Sequence, residues 1–280
     1  MSQPQIKTFL ITGVSTGLGR AFAEVALREG RRVVGTVRNE GAAKSFEALA
    51  PGRAFARQLD VTDTAKIAPV VADIEAHVGP IDVLINNAGY GHEGVLEEAS
   101  LDDLRRQFEV NVFGVVAVIQ AVLPYMRKRR AGRILNITSM GGIITMPGIS
   151  FYHGSKFALE GISESLAKEV RSLGIYVTAV EPGGFRTDWA GRSMVRSDRH
   201  IADYDAVFDP LRERRKNFSG NQPGDPHKAG EALLKLIASD DPPMHLLLGR
   251  DAMNMVREKL GLLKNEFDAW EQVTLSTDFS

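Results

Sequence analysis

The chain has 280 residues, of which 44% are hydrophobic and 25% are charged, with a formal net charge of −1 and no cysteine. Such a chain can bury one large core, so we expect a single domain over residues 1–280. The balanced charge excludes a basic field for nucleic acid or an acidic membrane surface. The absence of thiols excludes disulfides, thiolate catalysis and cysteine zinc sites.

Export, membrane and metal signals are also missing from the sequence. The first residues, MSQPQIK, lack the apolar core of a signal peptide. The most apolar stretch, Val112 to Leu123, is interrupted by Gly114 and Gln120 and is too short to span a bilayer. The six histidines show no metal-ligand spacing. We therefore expect a soluble, cytoplasmic protein with no membrane partner, no nucleic-acid partner and no metal.

The first element is a β-rich run, Lys7 to Thr12, which breaks into a glycine turn before a helical pattern from Arg20 to Arg28. Glycines let the backbone approach a pyrophosphate, and a helix N-terminus offers free N–H groups and a positive dipole. The spacing, G-x-x-x-G-x-G, is one residue looser than the usual dinucleotide fingerprint, and alone it also fits an ordinary tight turn. The turn residues predicted to bind a cofactor are Gly13, Ser15, Thr16, Gly17, Leu18 and Gly19.

The second β-rich run, Arg32 to Val37, ends at the position that selects between dinucleotides. An acid there would accept the ribose 2′-OH of NAD, but Val37 occupies that position and Arg38 follows it. A guanidinium group binds phosphate with two parallel hydrogen bonds. We therefore expect NADP(H) to be favoured over NAD(H), with a solvated loop arginine as the alternative.

Further β-rich runs alternate with helical patterns along the chain. This alternation predicts right-handed crossovers and a doubly wound parallel sheet of the Rossmann type, in the α/β class. The mostly apolar runs fit strands that are covered on both faces. They are Ala54 to Leu59, Ile81 to Asn86, Arg133 to Thr138, Ile175 to Glu181 and His245 to Gly249.

Two segments lie outside this alternation. Residues 186–225 form a stretch too long for a bare connection, so we expect an insertion with short helices that acts as a lid over the substrate. Residues 251–280 form a C-terminal extension. An amphipathic helix is expected there, closing a pocket or meeting a neighbouring subunit, on the apolar positions Met253, Val256, Leu260 and Leu263.

An acid-base pair is predicted from the spacing of Tyr152 and Lys156, which places a phenol beside an ammonium group on one helix face. A nearby cation favours phenolate, so we expect Lys156 to lower the pKa of Tyr152 towards working pH. Ser139, thirteen residues upstream of Tyr152, could hydrogen-bond the same substrate oxygen. Taken alone, this spacing is also common on solvated helix faces.

Taken together, these motifs resemble the compact short-chain dehydrogenase/reductase family from Lys7 to about Gly249. The glycine turn resembles the cofactor turn of the family, although many NADP-dependent relatives have a second basic residue where Thr16 stands. The resemblance assigns Asn111, Ser139, Tyr152 and Lys156 to the catalytic tetrad. It also assigns cofactor contacts to Asp60, Val61, Asn87, Ala88, Gly89, Tyr152, Lys156, Pro182, Gly183, Phe185 and Thr187.

The resemblance implies hydride transfer between a nicotinamide and an alcohol or carbonyl carbon. Tyr152 would exchange the proton, Ser139 would polarise the oxygen, and Lys156 would bind the nicotinamide ribose. In this family Asn111 would hold a water that relays protons to solvent. Three alternatives are a cofactor-sensing regulator, a structural subunit, and an NAD-dependent alcohol dehydrogenase on the same fold.

The substrate is expected to be an apolar or aromatic carbonyl compound or alcohol of moderate size. Its predicted contacts are Ser139, Gly141, Phe151, Tyr152, Gly184, Phe185, Trp189 and Met194. Alternatively, the aromatic residues seal the insertion's own core, and Arg186 and Arg192 would then suit an anionic tail. Helical surfaces along Leu104 to Met126 and Phe157 to Val170 could form a homodimer or homotetramer, as in relatives.

Overall fold

A seven-stranded parallel sheet forms the centre of the protein, with strand order β3-β2-β1-β4-β6-β7-β9. The computed structural model describes residues 7–189, 191–218 and 220–279, apart from the side chain of residue 216. The predicted α/β class and doubly wound topology are confirmed, and strand ends differ from the predicted ones by one residue or so. The strands are β1 Thr8–Ile11, β2 Arg32–Val37, β3 Ala54–Gln58, β4 Ile81–Asn86, β6 Gly132–Ile137, β7 Ile175–Pro182 and β9 His245–Leu248.

Helices cover both faces of this sheet. They are α1 Gly17–Arg28, α2 Glu40–Glu47, α3 Thr64–His77, α4 Leu101–Phe108, α5 Gly114–Arg129, α6 Ser150–Val170, α7 Asp205–Phe218, α8 Pro226–Ala238, α9 Arg250–Ala269 and α10 Glu271–Leu275.

Each strand separates two apolar layers because successive side chains point to opposite faces. In β1, Phe9 and Ile11 pack in the core under α1 and α8, whereas Leu10 packs in the core under α3, α5 and α6. Burial on both faces explains why these strands are mostly apolar, and buried polar side chains among them, such as Thr36 and Asn136, have hydrogen-bond partners.

The strand order reverses beside β1, since β2 lies on one side of it and β4 on the other. At such a switch point the carboxyl ends of neighbouring strands lead into connections that diverge, which leaves a crevice. The glycine turn follows β1. The N-N-A-G loop, Asn86 to Gly89, follows β4, so both segments border this crevice. The fold thus collects the predicted cofactor motifs at one edge of the sheet.

The insertion contains a short strand, a 3₁₀-helical turn at Ala202–Tyr204 and the helix α7. The strand β8, Met194–Arg196, pairs in parallel with β5, Gly91–Glu93, as a second sheet. This small sheet was not predicted, because three-residue strands carry too little periodicity to be recognised. It ties the insertion to the loop that follows β4.

The C-terminal extension is helical, as predicted, but within the described part of the chain only its first turns pack on other elements. Ala252 and Val256 are buried, and Met253 and Leu263 are half-buried. Leu260, which was expected on the buried stripe, is 53% exposed. Several other apolar side chains further along are also exposed: Leu262, Phe267, Trp270, Val273 and Leu275.

One continuous helical stretch among the described residues, Leu101–Arg129, is long and apolar enough to cross a bilayer by length and composition alone. The expectation that the apolar stretch was too short is therefore wrong, because α4 and a π-helical segment, Glu109–Phe113, extend α5. Core helices of soluble proteins pass the same test, so the finding is weak evidence for a membrane.

Candidate active site

The glycine turn and the N-N-A-G loop are hydrogen-bonded to each other. Asn87 donates through Nδ2 to the carbonyl oxygens of Thr12 and Gly13, at 3.0 Å each. The Thr12 hydroxyl oxygen accepts the backbone N–H groups of Asn87 and Ala88, also at 3.0 Å. The sequence did not predict this role of Thr12, which only the spatial proximity of β1 and β4 reveals.

Three turn glycines are required by geometry. Gly13 and Gly17 have φ angles of +73° and +64°, which side chains rarely adopt. A Cβ at Gly19 would lie 2.2 Å from Nδ2 of Asn87, so only glycine lets the start of α1 pack against that side chain. Thr16 caps α1 in an extended conformation without a side-chain hydrogen bond. The free N–H groups of α1 therefore face the crevice, as an anion site requires.

Arg38 and Asp60 lie near each other, just after the carboxyl ends of β2 and β3. Arg38 is exposed directly after β2, before α2 begins with an Asn39 cap. Asp60 accepts two hydrogen bonds from Thr62, at 3.0 and 2.7 Å. Burial opposes ionisation, but these hydrogen bonds and the charge of Arg38 hold the pKa of Asp60 below its ordinary value. Val61 is buried.

Tyr152 lies in the first turn of α6, next to Ser139 at the end of β6. Its side chain is buried, and this burial raises the pKa of Tyr152 to about 12, against an opposing hydrogen bond with Ser139. Ser139 accepts the N–H of Gly141 at 3.0 Å, so the hydroxyl hydrogen stays available for another oxygen. The structure brings the phenol and the hydroxyl together, as predicted.

Lys156 lies one turn after Tyr152, but its ammonium group points to the backbone. Nζ donates to the carbonyl oxygen of Ile137 at 2.8 Å and lies 5.8 Å from the centroid of the Tyr152 ring. Burial lowers the pKa of Lys156 to about 8, with Glu160 acting in the opposite direction. The expectation that Lys156 brings the pKa of Tyr152 down is not met in this structure, because desolvation of the phenol outweighs the distant cation.

Asn111 lies in the π-helical segment, where the widened helix turns its side chain inward. Nδ2 donates to the carbonyl oxygen of Tyr90 at 3.0 Å and to Oγ of Ser155 at 3.1 Å, and Oδ1 accepts the N–H of Tyr90 at 3.1 Å. Asn111 therefore joins the loop after β4 to α6. A π-helical segment within a helix is frequent at functional sites, and no residue pattern in this sequence signalled it.

The segment Pro182 to Thr187, which we name the nicotinamide element for its predicted contacts with the cofactor, approaches the glycine turn from β7. Thr187 is the residue nearest to a Cβ built on Gly17, at 4.0 Å. The N–H of Gly184 donates to Oδ2 of Asp251 at 2.7 Å, so the start of α9 holds this element in place. Asp251 is a supporting residue that the sequence did not indicate.

The predicted substrate residues lie in two places. Trp189, Met194 and Phe151 lie near Tyr152 or the strand β5, whereas Phe185 lies in the main core. Trp189 is half-buried, and its ring centroid lies 5.2 Å from that of Tyr152, so the indole lies beside the phenol. Met194 is buried against Gly91, where an added Cβ would lie 2.9 Å from the Met194 Cε. Phe151 is buried and stacks on His92 with centroids 5.3 Å apart.

Phe185 does not belong to this pocket. It is buried in the main core under α1 and α8, and a Cβ on Gly224 would lie 2.7 Å from its ring. This packing corrects the prediction that the Phe185 side chain contacts the substrate or the cofactor. The core that Phe185 joins is the main core and not one of the insertion's own, whereas Trp189 lies beside Tyr152.

His153 supports the loop that carries Ser139 and Gly141. Its Nε2 accepts the N–H of Met146 at 2.9 Å, so Nδ1 carries the proton and donates to the carbonyl oxygen of Gly141 at 2.7 Å. Burial lowers the pKa of His153, which favours this neutral tautomer. Its position directly after the tyrosine gave no signal in the sequence, because its partners lie in a separate loop.

The fold and this arrangement define a nicotinamide-dependent oxidoreductase of alcohols and carbonyl compounds. The family model described as short chain dehydrogenase matches residues 7–196, and the chain belongs to that family. Members of the family use NAD or NADP.

Similar proteins cover nearly the whole chain. Oxidoreductase BOA17 of Botryotinia fuckeliana is 38% identical over 97% of this chain and 99% of its own length. A 3-ketodihydrosphingosine reductase of Bacteroides thetaiotaomicron is 40% identical over 88% of each chain. A crystal structure of a short-chain dehydrogenase from Streptomyces avermitilis has a TM-score of 0.92 at 40% identity, covering 99% of this chain and all of that chain.

Proposed function

We propose that the protein is an NADP(H)-dependent oxidoreductase that interconverts a secondary alcohol and a ketone on an apolar or aromatic substrate. The observation that carries this proposal is the buried phenol of Tyr152, hydrogen-bonded to Ser139 and bordered by Trp189. In this arrangement a proton donor, a polarising hydroxyl and an apolar wall surround one small space.

The residues present fit a dinucleotide. Glycine at position 13 lets the turn pack closely against Ala88, where a Cβ would lie 3.1 Å from the Ala88 Cα, and free N–H groups of α1 face the crevice. Gly13 to Gly19 would hold the pyrophosphate, Asp60 and Val61 the adenine, and Pro182 to Thr187 the nicotinamide. When bound, the nicotinamide supplies or accepts the hydride.

The chain's own groups perform the proton chemistry. In reduction, Tyr152 donates its proton to the developing alkoxide, and Ser139 donates a hydrogen bond to the same oxygen. In oxidation, the phenolate of Tyr152 removes the hydroxyl proton. Lys156 would bind the nicotinamide ribose, and Asn111 would hold the water that relays protons to solvent.

NADP(H) preference is supported by two features at the end of β2. Val37 offers no carboxylate for a ribose hydroxyl, and the exposed Arg38 offers a guanidinium group for a 2′-phosphate. Asp60 lies near enough to interact with the charge of Arg38, so its carboxylate competes with a phosphate for that guanidinium group.

An apolar or aromatic substrate is supported by Trp189, whose ring lies beside the phenol, and by Met194, which packs with Trp189 against Gly91. A relative is named for the reduction of a 3-keto compound, 3-ketodihydrosphingosine, which agrees with a ketone substrate. Few charges at this wall exclude water and favour apolar groups.

The test is a screen of ketones and alcohols with NADPH and NADP⁺, with absorbance at the nicotinamide band as readout. We expect turnover of aromatic ketones to exceed that of small charged keto acids. Dinucleotide binding without turnover of any ketone or alcohol would instead support the cofactor-sensing regulator or the structural subunit. Location in the cytoplasm and assembly as a homodimer or homotetramer are further parts of the proposal.

A further inference from the structure

Three titratable side chains from distant parts of the sequence meet beside α6. Glu160 lies on α6, Glu181 lies near the end of β7, and His245 begins β9. One ligand atom from each of them lies within 4.8 Å of the others. Nδ1 of His245 is 2.7 Å from Oε1 of Glu181 and 3.5 Å from Oε2 of Glu160.

The two carboxylates are short of partners. The side chains of Glu160 and Glu181 are only 8% and 1% exposed. Among the described residues, no hydrogen-bond donor reaches either carboxylate oxygen of Glu160 or Oε2 of Glu181 with good geometry. The hydroxyl of Thr138, which lies near Glu160, donates to the carbonyl oxygen of Val180 at 2.8 Å.

Positive charge at this position is also insufficient for two carboxylates. The ammonium group of Lys156 donates to the carbonyl oxygen of Ile137, so His245 is the cation that contacts the pair directly. One imidazolium supplies one positive charge at most, whereas two buried carboxylates carry two negative charges.

A divalent cation would supply the missing charge. We propose that Glu160, Glu181 and His245 bind one divalent transition-metal ion of the zinc type. Carboxylate oxygens with an imidazole nitrogen are a ligand set that Zn²⁺ and Co²⁺ accept. His245 is 40% exposed, which gives the ion an entry path and leaves a position for water.

Glu164 lies where a positioning residue for this site would be needed. Its Oε1 is 3.5 Å from Nε2 of His245, on the side of the ring opposite Glu181. A carboxylate that accepts the second ring N–H fixes the tautomer of a metal-ligating histidine. Glu164 therefore holds His245 with Nδ1 directed at the ion.

The ion would have a structural role. It would join α6, which carries Tyr152 and Lys156, to β7, which leads into the nicotinamide element, and to β9. The site is separate from the reacting atoms, so the proposal does not depend on the oxidoreductase function.

Metal-free full-length protein, prepared by chelation, is titrated with ZnCl₂ by calorimetry and with CoCl₂ by visible absorption. We expect one ion per chain, a Co²⁺ absorption band typical of mixed nitrogen and oxygen ligands, and a rise in Tm of about 5 °C at a hundredfold excess of Zn²⁺ over Kd. His245→Gln and Glu181→Gln should each abolish the Co²⁺ band, and Glu164→Gln should weaken affinity about tenfold.

His227→Gln is the matched control, because His227 also contacts two carboxylates, Glu24 and Asp225, but at an exposed position. It should leave the stoichiometry and the Co²⁺ band unchanged. Absence of saturable binding to the unmutated protein would overturn the proposal whatever the variants do, and the cluster would then be only an ion pair. Binding that persists in His245→Gln, or that is lost in His227→Gln, would overturn it as well.

Discussion

Tyr152 and Lys156 lie one turn apart on α6, and burial moves their pKa values in opposite directions. The phenol reaches about 12 and the ammonium group about 8, because each loses solvation of its charged form. Tyr152 therefore holds its proton at neutral pH, as a proton donor must.

Replacing Tyr152 with phenylalanine should abolish turnover and leave the cofactor affinity nearly unchanged. The substitution removes the transferable proton and keeps the ring, and general acid-base catalysis contributes about a hundredfold or more. Turnover is measured on a good substrate and cofactor affinity by calorimetry. Tyr125→Phe, on α5, serves as the control and should keep full activity. If Tyr152→Phe retained more than about a tenth of wild-type turnover, Tyr152 would not be the acid-base catalyst.

The two reaction directions should respond differently to pH. A raised pKa keeps Tyr152 protonated, so kcat for ketone reduction should stay nearly constant between about pH 6 and pH 8. Oxidation needs the phenolate, whose fraction increases about tenfold per pH unit below the pKa, so its rate should rise with pH. Initial rates in both directions measure this. A reduction rate that fell with an apparent pKa near 7 would contradict the buried, protonated phenol.

Arg38 should determine the cofactor preference. A charge-assisted contact with the 2′-phosphate contributes about 1.5 to 3 kcal/mol, which is about tenfold to over a hundredfold in affinity. Arg38→Asp should reverse the preference towards NAD(H), as measured by calorimetric titration of both cofactors. Arg28→Asp, at the far end of α1, is the control for a change of charge. Equal or tighter binding of NAD(H) by the unmutated protein would show that NADP(H) is not preferred.

At the scale of elements, the insertion is attached to the body of the protein by a buried carboxylate. Glu93 on β5 is 2% exposed and forms ion pairs with Arg196 at 3.3 Å, Arg212 at 3.7 Å and Arg215 at 3.4 Å. These contacts hold β8 and α7 in place, whereas the segment around Trp189 lies outside them. The insertion is thus anchored to the body of the protein through β8 and α7.

Ligand binding should increase hydrogen-exchange protection across residues 186–225, because a lid must open for entry and close on the complex. The comparison is between the free protein and its complex with NADP and a ligand. Unchanged protection across the segment would exclude a closing lid. Glu93→Gln should speed exchange of α7 in the free protein, since it removes the anchoring charge. Glu97→Gln, at an exposed contact with Tyr204, is the matched control.

At the scale of the whole molecule, two exposed apolar surfaces are available for assembly. Phe113 and Phe157, 54% and 42% exposed, lie on the helical surfaces predicted to form oligomers. Light scattering after size exclusion should show a dimer or tetramer, and Phe113→Glu or Phe157→Glu should shift it towards the monomer. Trp270→Glu, on the exposed C-terminal extension, should have no such effect. Dissociation by Trp270→Glu alone would place the interface on the C-terminal helices instead.

Local patterns predicted most of the fold and the central residues of the site. Strands buried on both faces are recognisable as apolar runs, and glycines with positive φ are recognisable as turns. Both the burial of a strand and the backbone conformation of a turn constrain residues that are close together in the sequence. Tyr152 and Lys156 were found for the same reason, since helical spacing alone places them together. The same holds for Arg38, which immediately follows a predicted strand.

Contacts between distant segments decided the rest. The core position of Phe185, the Asp251 contact with the nicotinamide element, and the anchoring of the insertion by Glu93 depend on residues far apart in the chain. The pKa values of Tyr152 and Lys156 likewise depend on burial, which no spacing reveals. By itself, then, the sequence determined the order of elements and the identity of the chemical groups, because these follow from local backbone and side-chain preferences. Only the tertiary structure decided which groups lose water and which meet, because solvation and packing depend on all surrounding segments at once.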